Sequence, residues 1–210
     1  MKKSCRLYLV RHGQTEWNIE GRMQGQKDSS LTAVGISQAE AMGLRLKSVN
    51  FAAAFSSDLL RAYRTAQIIA KERRLAVIAR RELRERSFGK LDGKLVSQVR
   101  KELEQFYHLY TSLPEPERRR LRFYSEGESD EQLMGRFITV LREIALAYLG
   151  KNVLVVTHGA VMRVFLIHLG YGDDKTLPSG SVKNTALVKL ESDGVEFEIK
   201  RTVGVELAKI

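Results

Sequence analysis

Arg6-Leu7-Tyr8-Leu9-Val10-Arg11-His12-Gly13 and Asn152-Val153-Leu154-Val155-Val156-Thr157-His158-Gly159 decide the fold. Each is a short, almost continuous apolar run that stops at His-Gly. Runs of this kind suit strands buried on both faces, as in a parallel sheet covered by helices. Phe51 to Phe55 and Leu75 to Ala79 supply a third and a fourth strand.

Helices alternate with these strands. Leu59, Ala62, Ala66 and Ile69 recur at three and four residues, as do Leu133, Phe137, Val140 and Ile144, the period of an amphipathic helix. Ser129 with Gln132 forms a capping-box signature at the start of the second. A further helix is predicted from Ala160 to Leu169, stopped by Gly170. Thr185 to Leu190 and Val195 to Val203 flank Ser192-Asp193-Gly194 and read as a hairpin. The fold class is therefore α/β, a three-layer α/β/α sandwich around a mostly parallel sheet.

From about Phe88 to Glu126 the alternation breaks. This stretch carries one predicted helix (Val99, Leu103, Phe106, Tyr110), the run Arg118-Arg119-Arg120, and leads into the turn-like Ser125-Glu126-Gly127. It reads as a helical insertion over the C-terminal ends of the strands, at about 88–126 of a single domain spanning 1–210.

Composition narrows the classes. The 210 residues carry 35 Lys+Arg against 25 Asp+Glu, a formal charge of +10 that favours anionic partners. The positive charge is dispersed and no zinc-finger or RNP-type motif appears, which disfavours nucleic acid. The longest apolar run, Ile144 to Leu149, falls far short of the roughly 20 residues of a membrane span, and no signal-peptide core follows Met1-Lys2-Lys3. These features point to a cytoplasmic protein without membrane association. The single cysteine, Cys5, allows no internal disulfide and reads as a small residue of a buried strand.

In open α/β sheets ligands bind beyond the carboxyl ends of the strands, so two histidines that each directly follow a strand are expected to face one another there. Around the first lies Leu9-Val10-Arg11-His12-Gly13-Gln14-Thr15-Glu16-Trp17-Asn18. Further along come Gly21-Arg22-Met23-Gln24-Gly25, Leu31-Thr32-Ala33-Val34-Gly35, and Ser56-Ser57-Asp58-Leu59-Leu60-Arg61-Ala62. Leu83-Arg84-Glu85-Arg86 with Phe88-Gly89, Gly127-Glu128-Ser129 and Val153 to Gly159 complete the set. In this order of motifs the chain resembles the histidine phosphatase superfamily, also called the phosphoglycerate mutase-like family, over most of its length.

The resemblance implies that His12 attacks phosphorus and becomes a phosphohistidine that water then hydrolyses. Neutral imidazole suits the task, because its unperturbed pKa is about 6.5 and it needs no separate base. Phosphoryl transfer spreads negative charge over three equatorial oxygens, for which Arg11 and Arg61 offer fixed forks of donors. Arg61 falls in the first turn of a helix beginning near Asp58, whose free N–H groups also favour an anion. By resemblance His158 stabilises the transferring group, and Glu85 takes the proton-donor position, later acting as base toward water. Burial beside a phosphate favours the protonated carboxyl that role requires. Asn18 is a further neutral donor or the cap of a turn. Gln24 and Gly25 match positions that contact substrate in the family, and Gly159 joins that set.

Two histidines and a carboxylate could also hold zinc, but the flanking arginines repel a cation and no His-x-x-x-His pair exists, so neither metal nor cofactor is expected. His108 and His168 read as packing or surface residues. Ala160 stands where cofactor-dependent mutases carry Asn after the second His-Gly, which favours a phosphatase. Glu85-Arg86 with Phe88-Gly89 is closer to the mutase motif, and the family's frequent Trp-Glu is Leu91-Asp92 here. The expected activity is a metal-independent phosphomonoesterase acting on a small phosphorylated metabolite. The alternatives are a 2,3-bisphosphoglycerate-dependent phosphoglycerate mutase and, more distantly, a non-catalytic phosphate- or nucleic-acid-binding protein. A homodimer is common for such a fold.

Overall fold

The computed structural model describes residues 3–122 and 126–208. In chain order they form β1 (Cys5–Arg11), α1 (Glu16–Ile19), α2 (Ala33–Arg45), β2 (Phe51–Ser56), α3 (Leu60–Ala70) and β3 (Val77–Ala79). Then follow α4 (Val96–Glu102), α5 (Glu104–Ser112), α6 (Glu115–Arg118), α7 (Asp130–Ala147), β4 (Asn152–Thr157), α8 (Gly159–His168), β5 (Val182–Ser192) and β6 (Phe197–Val205). Of the turn predicted at Ser125-Glu126-Gly127, Ser125 lies outside the described residues.

One six-stranded sheet has the order β3-β2-β4-β1-β5-β6. The first four strands are mutually parallel, whereas β5 runs antiparallel to β1 and β6 antiparallel to β5. The sheet is thus mixed, its parallel half carrying both His-Gly segments and its antiparallel half being the predicted hairpin. Its turn is closed by the Asp193 carboxylate, which accepts from the N–H of Val195 (3.0 Å) and Glu196 (3.1 Å).

Both faces of the sheet are covered, which explains the unbroken apolar runs. Leu7 and Leu9 of β1 and Val153 and Val155 of β4 pack with Leu133, Phe137, Val140 and Phe165 of α7 and α8. Tyr8 and Val10, with Leu154 and Val156, pack on the other side against Met42, Ala62, Ala66 and Ile69 of α2 and α3. Alternation persists along each strand, but both directions lead into a core. Cys5 is fully buried and free. The Ser129–Gln132 capping box forms at the start of α7.

The inserted stretch departs from the expected single helix. It divides into α4 and α5 at Leu103, whose backbone (φ −103°, ψ 11°) leaves the helical region. Leu103 turns inward there to join Leu91 and Val99 in a small separate core, with Met23 and Phe88 packed against it. β3 is also shorter than predicted, beginning at Val77, while β5 extends beyond Thr185–Leu190 at both ends.

Candidate active site

The parallel register of β1 and β4 pairs Arg11 with Thr157, so the next residue of each strand is a histidine. The backbone N–H of His12 continues the ladder to the Thr157 carbonyl at 3.0 Å. The two rings stand 5.2 Å apart, centroid to centroid, at 61°. Both are buried. Nδ1 of His12 lies 2.7 Å from the Gly13 carbonyl oxygen. Because a carbonyl only accepts, Nδ1 carries the proton and Nε2 keeps its lone pair. His158 is fully buried, and neither of its ring nitrogens has a hydrogen-bond partner among the described residues.

Burial, followed by the charges of Arg61 and Arg11, holds the His12 imidazole well below its usual 6.5. Burial and then Arg61, His12 and Arg11 do the same to His158. Two neutral imidazoles therefore sit in a positive field, an arrangement that an anionic ligand relieves.

The arginines are anchored so that part of each guanidinium is left over. Arg11 donates from Nη1 to the Val182 carbonyl at 2.6 Å, and its buried Nε–H has no partner among the described residues. Burial pushes it down to about 10, so it remains charged near neutrality. Arg61 is almost completely buried. Its Nη1 donates to the Lys27 carbonyl (2.6 Å) and the Asp28 carboxylate (3.0 Å), and Nη2 to the Gly25 carbonyl (2.7 Å). Its Nε–H is also unpartnered among the described residues. Unpaired buried donors are costly, and those of Arg11 and Arg61, with the neutral ring of His158, suit a ligand with several acceptor oxygens.

One sequence expectation needs correction here. The first N–H groups of α3 were expected to be free for an anion, but those of Leu60 (2.8 Å) and Arg61 (3.4 Å) donate to the Asp28 carboxylate. The capping residue of α3 is Leu59, which has no acceptor side chain, so an acid from another loop fills the place. Asp58 instead takes both prongs of Arg84 at 2.7 Å.

Glu85 is buried and does not pair with its neighbours. Arg84 goes to Asp58 and Arg86 to Asp130. The Glu85 carboxylate accepts from the N–H of Ala160 (2.9 Å) and Val161 (2.9 Å), at the start of α8, and from that of Arg86 (2.9 Å). The proposed acid thus rests on the first turn of the helix that follows His158.

Among the substrate candidates, Asn18 does cap the turn. Its Oδ1 accepts from the Thr15 N–H (3.1 Å) and from Asn184 Nδ2 (3.1 Å), which directs its own amide nitrogen elsewhere. Gln24 donates from Nε2 to Thr15 Oγ1 at 2.8 Å, and its buried Oε1 has no partner among the described residues. Gly25 (φ +53°) lies so close to Asp92 that a Cβ would stand 1.7 Å from Oδ1. Gly159 likewise makes room, for Arg11. Arg64 and His108 are exposed, and so is His168.

Sequence reasoning missed three contributors. Asn184 Nδ2 (3.2 Å) and the Thr185 N–H (3.3 Å) both donate to the His12 carbonyl. Thr185 adopts φ +53° to do so, a costly conformation for a β-branched residue. Arg136 of α7 donates to the carbonyls of Glu82 (2.7 Å), Arg84 (2.8 Å) and Glu85 (2.9 Å) while paired with Glu128, and so braces the Glu85 segment. Arg136 had a signal, since it sits at helical spacing between Leu133 and Val140, on the apolar stripe. Asn184 and Thr185 had none.

Among the described residues no three His, Cys, Asp or Glu side chains cluster as metal ligands, and no helix is long and apolar enough to cross a membrane. A cavity of about 480 Å³ opens elsewhere, between α6, α7 and α8, beside Met134, Ile138 and Ile167. None of the predicted site residues lines it.

Paired buried histidines and arginines thus gather beyond the carboxyl ends of the parallel strands, where open α/β sheets bind ligands. The sequence profile of the histidine phosphatase superfamily (branch 1) matches residues 7–203, and the chain belongs to that family. It is 40% identical over 166 residues to the metal-independent phosphoserine phosphatase of Arabidopsis thaliana, covering 78% of this chain and 68% of that one. It is 35% identical over 161 residues to the probable phosphoglycerate mutase GpmB of Proteus mirabilis, covering 76% and 72%. The structure of YhfR from Bacillus stearothermophilus superposes with a TM-score of 0.80 at 30% identity, covering 93% of this chain and 95% of that one.

Proposed function

We propose that the protein is a metal-independent phosphomonoesterase for small phosphorylated metabolites, working through a phosphohistidine on His12. The observation that carries this reading is the hydrogen bond from His12 Nδ1 to the Gly13 carbonyl, which leaves Nε2 as the nucleophilic nitrogen beside buried, unsatisfied donors.

In the first step the Nε2 lone pair forms the N–P bond as the ester P–O bond breaks. Arg11, Arg61 and His158 stabilise the equatorial oxygens, and the Glu85 carboxyl hands its proton to the leaving alkoxide. In the second step water attacks phosphorus, Glu85 takes its proton, the P–N bond breaks, and inorganic phosphate departs with His12 restored. Asn18 Nδ2 and Gln24 bind the substrate, and Gly25 and Gly159 shape its seat.

Hydrolysis of p-nitrophenyl phosphate in EDTA, absent in His12→Ala, with an acid-labile phosphoryl-enzyme trapped on His12, supports the proposal. Phosphate binding without turnover overturns it. The name of the Arabidopsis relative makes phosphoserine the first metabolite to test. The Proteus mirabilis relative and the Glu85-Arg86-Ser87-Phe88-Gly89 stretch favour the mutase as second reading. Conversion of 3-phosphoglycerate to 2-phosphoglycerate, stimulated by 2,3-bisphosphoglycerate, decides for it.

A further inference from the structure

Asp28 lies on no strand or helix, and the mechanism above assigns it nothing. Yet its carboxylate touches Arg61 twice, at Nη1 (3.0 Å) and at the backbone N–H (3.4 Å), and also holds the N–H of Leu60 (2.8 Å). Among the described residues it is the acid in direct contact with this buried guanidinium; Glu85 and Asp92 act on Arg61 only through space. The side chain of Arg61 is fully buried and that of Asp28 about two-thirds buried.

A guanidinium has five N–H bonds. Arg61 spends both of those on Nη1 and one on Nη2 within the segment 25–28, so the Nε–H and one Nη2–H remain. Asp28 thereby fixes which edge of the fork faces away from the loop. Its bond to the backbone of the same residue ties that edge to the start of α3.

We infer that Asp28 is a positioning residue that sets the Arg61 guanidinium for phosphate, by clamping the Nη1 end and the first turn of α3 with one carboxylate. The inference rests on the phosphate-handling reading of the site. It makes Asp28 act through Arg61 and not through contact with substrate.

A double-mutant cycle tests it, with Asp28→Ala, Asp28→Asn, Arg61→Ala and the double variant Asp28→Ala/Arg61→Ala in the full chain. The readouts are kcat and KM for p-nitrophenyl phosphate, inorganic phosphate affinity by calorimetry, and Tm. Asp28→Ala is expected to lower kcat/KM and phosphate affinity by about 10- to 100-fold, the scale of one charged hydrogen bond. Asp28→Asn, which keeps one acceptor oxygen, falls between. In the Arg61→Ala background the further loss is expected to be less than about twofold. An equal loss in both backgrounds, or folded Asp28→Ala and Asp28→Asn proteins with wild-type phosphate affinity, overturns the inference. If Asp28→Ala does not fold, Asp28→Asn with and without Arg61→Ala completes the cycle. Absence of turnover in the wild type would refute the esterase reading alone, because the calorimetric cycle still reads the coupling.

Discussion

A Cβ on Gly159 would stand 3.0 Å from Nε and 3.1 Å from Cζ of Arg11, so the first residue of α8 and the last residue of β1 share one space. Arg11 cannot retreat freely, because its Nη1 is held by the Val182 carbonyl. Gly159→Ala is therefore expected to displace the guanidinium and lower kcat/KM about tenfold. Alanine also favours the helix, by up to about 1 kcal/mol, so Tm should not fall in step. Steady-state kinetics beside thermal melts check this; a lowered Tm with unchanged kcat/KM sinks it.

The two depressed histidines give stability a pH dependence of definite sign. Both stay neutral in the folded chain at pH values where the unfolded chain binds protons at about 6.5. Their contribution is complete above the unfolded value and is lost as pH falls below it. The slope is about 1.4 kcal/mol per pH unit for each histidine. Urea unfolding between about pH 7.5 and 5 should show ΔG falling below 6.5, with a shallower fall in His158→Ala. A histidine resonance titrating near 6.5 at either position contradicts this.

Glu85→Gln separates acid catalysis from binding. A leaving group that is already a good anion needs little protonation, while an alkyl alkoxide needs it fully. The substitution should lower kcat/KM, which reads the phosphorylation step alone, by about 10²- to 10⁴-fold for an alkyl phosphate and far less for p-nitrophenyl phosphate. Equal losses of kcat/KM on the two substrates would assign Glu85 to holding the first turn of α8 instead.

Gly25 and Asp92 are expected to be coupled. Gly25→Ala brings a Cβ 1.7 Å from Oδ1 of Asp92 at φ +53°. Strain and overpacking together should cost about 2–4 kcal/mol in chemical denaturation. In an Asp92→Ala background only the backbone strain remains, about 1 kcal/mol. Additive losses in the double variant would refute the contact.

Sequence and structure agree where the signal is local. The continuous apolar runs of β1 and β4, the α7 capping box and the Gly170 stop beyond α8 each follow from neighbours within a few residues. Arg11, His12, Arg61 and His158 were legible because motifs carried them. Asp28, Asn184 and Thr185 were not, since each acts on a partner far along the chain and sits in an ordinary loop or strand composition. The Leu103 break was hidden for the opposite reason: its helical spacing with Val99 and Phe106 is real, and a small core pulled the chain out of it.

The antiparallel course of β5 has a consequence for the order in which the protein is made. β1 is made before its sheet neighbours β4 and β5, and Val182, which holds Arg11, and Asn184 and Thr185, which hold the His12 carbonyl, come later still. A nascent chain that already carries Arg11 and His12 lacks these anchors until residues 182–185 are synthesised. Assembly of the site therefore waits on β5, whose Asn184 lies 172 residues beyond the histidine it anchors.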